Sequence, residues 1–173
     1  STDNGANWDK FTAFVFREID GSYSNPNDIE IDLNNNIWVT TTRNSYGNPG
    51  GKILKSTDGI TFTLEETVAN ASRTELEPSN TDANKFWVAI HNSTNGNADL
   101  FFTNDGFATV TPLAEPKDAD ASISEFDYTR NQAFYNLPIE VDASDNLYVG
   151  GIDLFRSTDD GTTWTQISKW SNN

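Results

Sequence analysis

The stretch Ser157-Thr158-Asp159-Asp160-Gly161-Thr162-Thr163-Trp164 decides the fold, because the chain repeats it. Its first eight residues, Ser1-Thr2-Asp3-Asn4-Gly5-Ala6-Asn7-Trp8, place Ser, Asp, Gly and Trp at the same spacing. Two variants stand between them: Ser56-Thr57-Asp58-Gly59-Ile60-Thr61-Phe62 and Thr103-Asn104-Asp105-Gly106-Phe107. The copies start at 1, 56, 103 and 157, so successive starts lie 55, 47 and 54 residues apart. Steps of that size are close to one propeller blade. The residue types suit a hairpin: the Asp carboxylate accepts turn amide hydrogens, and the Gly takes a positive φ where the chain reverses. The Trp or Phe is expected to pack back on the strands as an apolar anchor. The copies at Ser56 and Thr103 lack one residue between Asp and Gly, which predicts tighter turns there.

A second pattern precedes each later copy. Asp28-Ile29-Glu30-Ile31-Asp32 alternates, turns through Asn34-Asn35-Asn36, and continues as Ile37-Trp38-Val39. Glu75-Leu76-Glu77-Pro78 leads likewise to Phe86-Trp87-Val88-Ala89-Ile90, and Pro138-Ile139-Glu140-Val141-Asp142 to Leu147-Tyr148-Val149. Period-two alternation followed by an apolar run reads as a half-buried strand paired with a central one. The runs 52–55, 99–102 and 153–156 supply strands entering the repeated motifs, and 61–64, 109–111 and 163–167 strands leaving them. Four strands per repeat make a blade.

The repeated motif resembles the Asp-box, or BNR, repeat, whose S-x-D-x-G-x-x-W form the two terminal copies match in full. The resemblance covers nearly the whole chain. It implies an all-β fold: a β-propeller segment of four-stranded antiparallel blades with Asp-box hairpins. The structural box residues it implies are Ser1, Asp3, Gly5 and Trp8; Ser56, Asp58, Gly59 and Phe62; Thr103, Asp105 and Gly106; and Ser157, Asp159, Gly161 and Trp164. Sialidases, xyloglucan-cleaving enzymes, sortilin-type receptors and a photosystem assembly factor share this repeat, so it does not select an activity. The turn-rich, Asn-rich, Cys-free texture is similar to that of type IX secretion cargo.

The blades are expected at 25–69, 70–113 and 137–173, with a partial blade at 1–24 (a motif and an outgoing strand, Trp8 to Phe16) and an inserted loop at 114–136. Propellers close with about four to eight blades. The expectation is therefore an incomplete ring from a larger protein, whose remaining blades are its first partners. The insertion gathers Phe126, Tyr128, Phe134 and Tyr135, a candidate binding loop for another surface protein or a glycan; the alternative is that these aromatics pack on the blades.

Composition narrows the function. Net charge is −15, which repels phosphate backbones and makes nucleic acid an unsuitable partner. No apolar run of about 18 residues exists, so no membrane-spanning helix is expected. Cysteine is absent, which removes disulfides and thiolate metal sites. A secreted or cell-surface location is the expectation. No cofactor is expected. Asp32-Leu33-Asn34-Asn35-Asn36 and Asp142-Ala143-Ser144-Asp145-Asn146 faintly resemble calcium loops, but their equivalent blade positions favour turns. His91 is the single histidine and has no partner set for zinc or a catalytic triad. No catalytic residue is assigned: a glycosidase needs two carboxyls flanking a sugar bond, and Asp28, Glu30, Glu77 and Glu140 carry no orientation in the sequence. The leading reading is a non-catalytic propeller scaffold presenting loops for binding. The alternatives are part of a glycoside hydrolase of xyloglucanase or sialidase type, and a sortilin-like peptide-binding propeller.

Overall fold

The computed structural model describes residues 1, 3–8, 14–120, 122 and 127–172. Strands β1 (Asn25–Ile31), β2 (Ile37–Thr42), β3 (Lys52–Ser56) and β4 (Thr63–Thr67) form the first sheet. The second holds β5 (Ala71–Pro78), β6 (Phe86–Asn92), β7 (Ala98–Thr103) and β8 (Thr111–Leu113). The third holds β9 (Ile139–Val141), β10 (Leu147–Gly150), β11 (Leu154–Ser157) and β12 (Thr165–Gln166). Each sheet is an antiparallel meander in chain order, and the first strands sit against one another, β1 on β5 and β5 on β9. These are three blades of a β-propeller, packed face to face.

Period-two alternation sets the packing, because a strand sends alternate side chains to opposite faces. One face of the second blade carries the cross-strand row Leu76, Val88 and Phe101, which buries Trp38 and Ile53 of the first blade. Its other face carries Trp87, Ala89 and Leu100, buried against Ile139, Val149 and Phe155 of the third. The Trp38 ring lies 4.6 Å from Phe86 and 5.6 Å from Phe107. The buried indoles keep their polar edges satisfied: Trp38 Nε1 donates to Asp32 (2.9 Å) and Trp87 Nε1 to the Asp160 carbonyl (3.3 Å).

The four Ser/Thr-Asp motifs form braced turns. In the last, Ser157 Oγ donates to Asp159 and accepts from Gly161 N–H, while Asp159 accepts from Thr163 N–H and Oγ1. Ser1, Asp3, Gly5 and Asn7 repeat that network at the start of the chain. The turn at Ser56 is shorter by one residue, as its spacing predicts: Gly59 N–H reaches Ser56 Oγ, and Asp58 takes the amides of Ile60 and Thr61. The Thr103 turn is not shorter. Phe107 N–H reaches Thr103 Oγ1 and Thr109 N–H reaches Asp105, the full-length register. Gly106 therefore does not hold the glycine position of this motif; Phe107 holds it, at φ 71°. A left-handed Phe is costly, and burial of its ring between Trp38 and Phe86 offsets that cost.

Two anchors depart from expectation. Trp8 does not pack back on a strand; it stands 78% exposed, its Nε1 donating to the Gly5 carbonyl. Of the outgoing strand expected from Trp8 to Phe16, residues 9–13 lie outside the described residues, and Phe14–Phe16 is a 3-10 turn. Phe62 meets Phe16 edge-on at 5.6 Å, and half-buried Trp164 packs on the core between the second and third blades.

A polar clamp also joins those two blades. Buried Asp145 accepts from Ser79 Oγ (2.6 Å), Asn80 N–H (2.8 Å) and Thr81 Oγ1, with Lys85 Nζ at 3.5 Å. Asp145→Ala would strand those donors in the interface. It should lower stability by about 2–4 kcal/mol, measured by urea denaturation. A loss under about 1 kcal/mol would mean that apolar packing alone fixes these blades.

Candidate binding cleft at the propeller axis

Among the described residues, the innermost strand of each blade has one edge without a partner strand, so its outward amides need other acceptors. The preceding blade supplies them. Asp28 on β1 accepts from Leu76 N–H on β5 (2.9 Å), and Glu77 on β5 accepts from Val141 N–H on β9 (3.3 Å). Asn27 Nδ2 donates to the Thr74 carbonyl (2.7 Å) and to Glu75 (3.0 Å). The same strands repeat a glutamate at one register. Glu30, Glu77 and Glu140 stand opposite Trp38, Trp87 and Tyr148 on the second strand of their blades.

Blade stacking gathers these acids. Burial is the largest cause that pushes the Glu30 carboxyl up to about 7, followed by the charges of Asp28, Glu140 and Glu75. Burial likewise pushes Glu77 up to about 8, reinforced by Glu140 and Glu30 and opposed by the Val141 amide. Glu75 is raised by burial, against the hydrogen bond from Asn27 and the charge of Arg73. A cleft of about 340 Å³ opens here, lined by Asp28, Glu30, Glu75, Glu140, Arg73 and Tyr135 among others. Arg73 is already engaged: its Nε and Nη2 meet Glu75, and its Nη1 donates to the carbonyls of Tyr135 (2.9 Å) and Phe134 (3.3 Å). Close to Phe134, His91 Nδ1 lies 2.5 Å from Ser72 Oγ, and its ring centroid is 6.3 Å from the Phe134 ring. Burial, then the Arg73 charge, lowers the imidazole pKa.

The candidate binding loop divides. Phe134 and Tyr135 are exposed beside the cleft. Tyr128 is not available for recognition: it is fully buried between the second and third blades, edge-on to Phe155 at 6.0 Å. Hydrophobic burial of a whole ring outweighed the polar company it keeps in sequence. Phe126 lies outside the described residues. The insertion is fastened by an ion knot, in which Arg130 Nη2 donates to Asp118 (2.7 Å), Asp120 (2.7 Å) and Asp153 (3.0 Å). Oxygens of these three buried acids lie within 4.8 Å of one another, a spacing that suits a metal, but the guanidinium already provides the positive charge. The calcium-like runs brace turns. Asp32 accepts from the amides of Asn34 and Asn36 and from Trp38 Nε1, and Asp142 from the amides of Ser144 and Asn146. Sequence reading singled out Asp28, Glu30, Glu77 and Glu140 without orienting them and missed Arg73 and Glu75; the equivalent pairs Ile29-Glu30, Leu76-Glu77 and Ile139-Glu140 hold the signal for the shared register.

The chain is similar in fold to three solved propeller-type proteins. YCF48 bound to D1 peptide matches with a TM-score of 0.50 and 13% identity, over 83% of this chain and 40% of that one. A protein from Bifidobacterium bifidum s17 assigned as an exo-beta-1,3-galactanase matches with a TM-score of 0.52 and 14% identity, over 91% of this chain and 57% of that one. The exo-beta-1,3-galactanase 1,3Gal43A from Clostridium thermocellum gives a TM-score of 0.53 and 12% identity, over 87% and 38%. The chain thus spans between about two fifths and three fifths of their lengths. At such identities the likeness is one of fold. No protein-family model and no curated protein matches the chain.

The axial acids make stability fall with rising pH. Their folded values, about 7 for Glu30 and about 8 for Glu77, lie above the ordinary 4.5, so the fold keeps protons that the unfolded chain has released. Their contribution is full below pH 4.5 and lost as pH rises through 7 to 8. Asp3 and Asp58, lowered to about 2 by turn hydrogen bonds, act oppositely, below pH 3.8. Thermal denaturation between pH 5 and 9 should show a declining melting temperature. Glu77→Gln should remove on the order of 2–3 kcal/mol of that decline. Stability that rises across this range would contradict the arrangement.

Proposed function

We propose that this chain belongs to a non-catalytic, ligand-binding β-propeller of Asp-box type, secreted or displayed at a cell surface, with the axial cleft as its binding site. The four braced Ser/Thr-Asp turns support the repeat type. One observation carries the function. Acids from three adjoining inner strands converge on a cleft whose arginine is already paired, beside exposed Phe134 and Tyr135. Such a site favours a basic side chain, which relieves the crowded negative charge and can lie over an aromatic face. The ligand we propose is therefore a basic segment of another protein, in the manner of a sortilin-like peptide-binding propeller. The peptide held by YCF48 is compatible with a propeller used in this way.

A second reading has its own observation. Glu30, raised to about 7 beside Asp28 and Glu140, is the kind of carboxyl that serves as a general acid paired with an ionised partner. On that reading the chain is part of a glycoside hydrolase, as the two galactanase neighbours suggest.

Calorimetry with a short lysine-rich peptide and a neutral β-1,3-galactan oligosaccharide separates the readings. Salt-sensitive peptide binding, weakened about tenfold or more by Glu30→Gln with Glu140→Gln, is expected, with no turnover of the sugar. Oligosaccharide cleavage abolished by Glu30→Gln would replace the first reading with the second.

A further inference from the structure

Two side-chain oxygens of the insertion are buried without a hydrogen-bond partner: the Tyr128 hydroxyl and Glu115 Oε2. Tyr128 is fully buried, in one core cluster with Ala98, Leu100 and Phe155. Glu115 lies two residues past Leu113, which pairs with Leu100 and packs on that same cluster. Between them the Ala114 carbonyl accepts from Trp164 Nε1 (2.9 Å), which fixes the chain there. The two orphaned groups share their electrostatic neighbours. Burial raises the Tyr128 phenol, and the charges of Glu115, Asp127 and Asp99 add to it in that order. Burial also pushes the Glu115 carboxyl up to about 8, again with Asp99 and Asp127 acting on it.

Three carboxyls thus act on one buried hydroxyl, and the hydrogen bonds they receive come from neutral donors. Asp99 accepts from Asn92 Nδ2 (2.7 Å), and Asp127 from Thr129 Oγ1 (2.6 Å) and the Asn131 amide. Among the described residues no ion pair reaches Asp99, Glu115 or Asp127, whereas Arg130 answers the three aspartates of its knot. Buried oxygens left unmatched beside uncompensated acids are costly, and a cation removes both costs together. Every donor here is a hard oxygen, the kind that calcium takes in irregular geometry. We propose that the Glu115 carboxylate and the Tyr128 hydroxyl are side-chain ligands of a calcium ion, with Asp99 and Asp127 beside it supplying balancing charge. Glu115, Asp127 and Tyr128 belong to the insertion and Asp99 to β7, so the ion fastens the insertion to the second blade.

Calorimetric titration of calcium chloride into the chelator-treated full chain tests this, together with melting curves in calcium and in chelator. One ion should bind per chain, and calcium should raise the melting temperature. Terbium, which accepts calcium's oxygen ligands, should luminesce when the aromatic rings are excited and lose that emission as calcium displaces it. Glu115→Gln keeps side-chain size and Tyr128→Phe keeps the ring, so circular dichroism should remain that of the wild type. Calcium binding should weaken in both, by about tenfold or more in Glu115→Gln. Asp118→Asn, in the Arg130 knot, should leave calcium affinity within about twofold of the wild type. A wild type indifferent to calcium in both heat and melting temperature overturns the proposal, since water alone then serves these oxygens. Binding unchanged in either Glu115→Gln or Tyr128→Phe also overturns it. So does binding abolished by Asp118→Asn, which would move the ion to the knot.

Discussion

The unpaired edge of each innermost strand is the constraint from which the rest of this structure follows. Leu76 and Val141 present amides with no strand beside them, and the preceding blade answers with Asp28 and Glu77. Side-chain acceptors at an edge satisfy the backbone without offering a template for a further strand. The consequence is electrostatic. Three blades, each bringing acids to one axis, crowd Asp28, Glu30, Glu75, Glu77 and Glu140 until burial and mutual repulsion hold protons on Glu30 and Glu77 near neutral pH. The groups that close the blades are therefore neighbours of the groups that line the cleft.

Away from the axis the blades depend on shape. Large aromatics of one blade, Trp38 and Trp87, seat on aliphatic rows of the next, and the braced turns fix where each row begins. Phe107 shows how strictly register is kept, accepting a left-handed backbone to remain between Trp38 and Phe86. The insertion follows the same economy. Tyr128 fills the core, Arg130 knots three aspartates, and among the described aromatics of the loop Phe134 and Tyr135 remain for the rim.

The all-β fold was legible because its causes are local. Alternation at 28–32 and 138–142, and Asp-Gly turn chemistry at regular steps, specify strands and reversals without reference to distant residues. The site was legible only in its parts. Glu30, Glu77 and Glu140 are visible as acids within alternating strands, but their convergence depends on how blades stack. Tyr128 reads as a surface aromatic because its neighbours are Asp127 and Thr129, while its burial depends on Phe155 across the interface. Reading Gly106 as the turn glycine failed for a related reason: a phenylalanine with a core to enter takes the conformation that sequence reserves for glycine.

Amide hydrogen exchange at Leu76 and Val141 tests the edge-capping account most directly. Both lie on the free edge of an innermost strand, where an uncapped amide exchanges as fast as one in an open turn. Capped by Asp28 and Glu77, they should exchange as slowly as the paired amides of the same sheets, near the limit set by global unfolding. Exchange at both positions as rapid as at exposed turn amides such as Thr57 would show that the acids do not hold the blades at the axis.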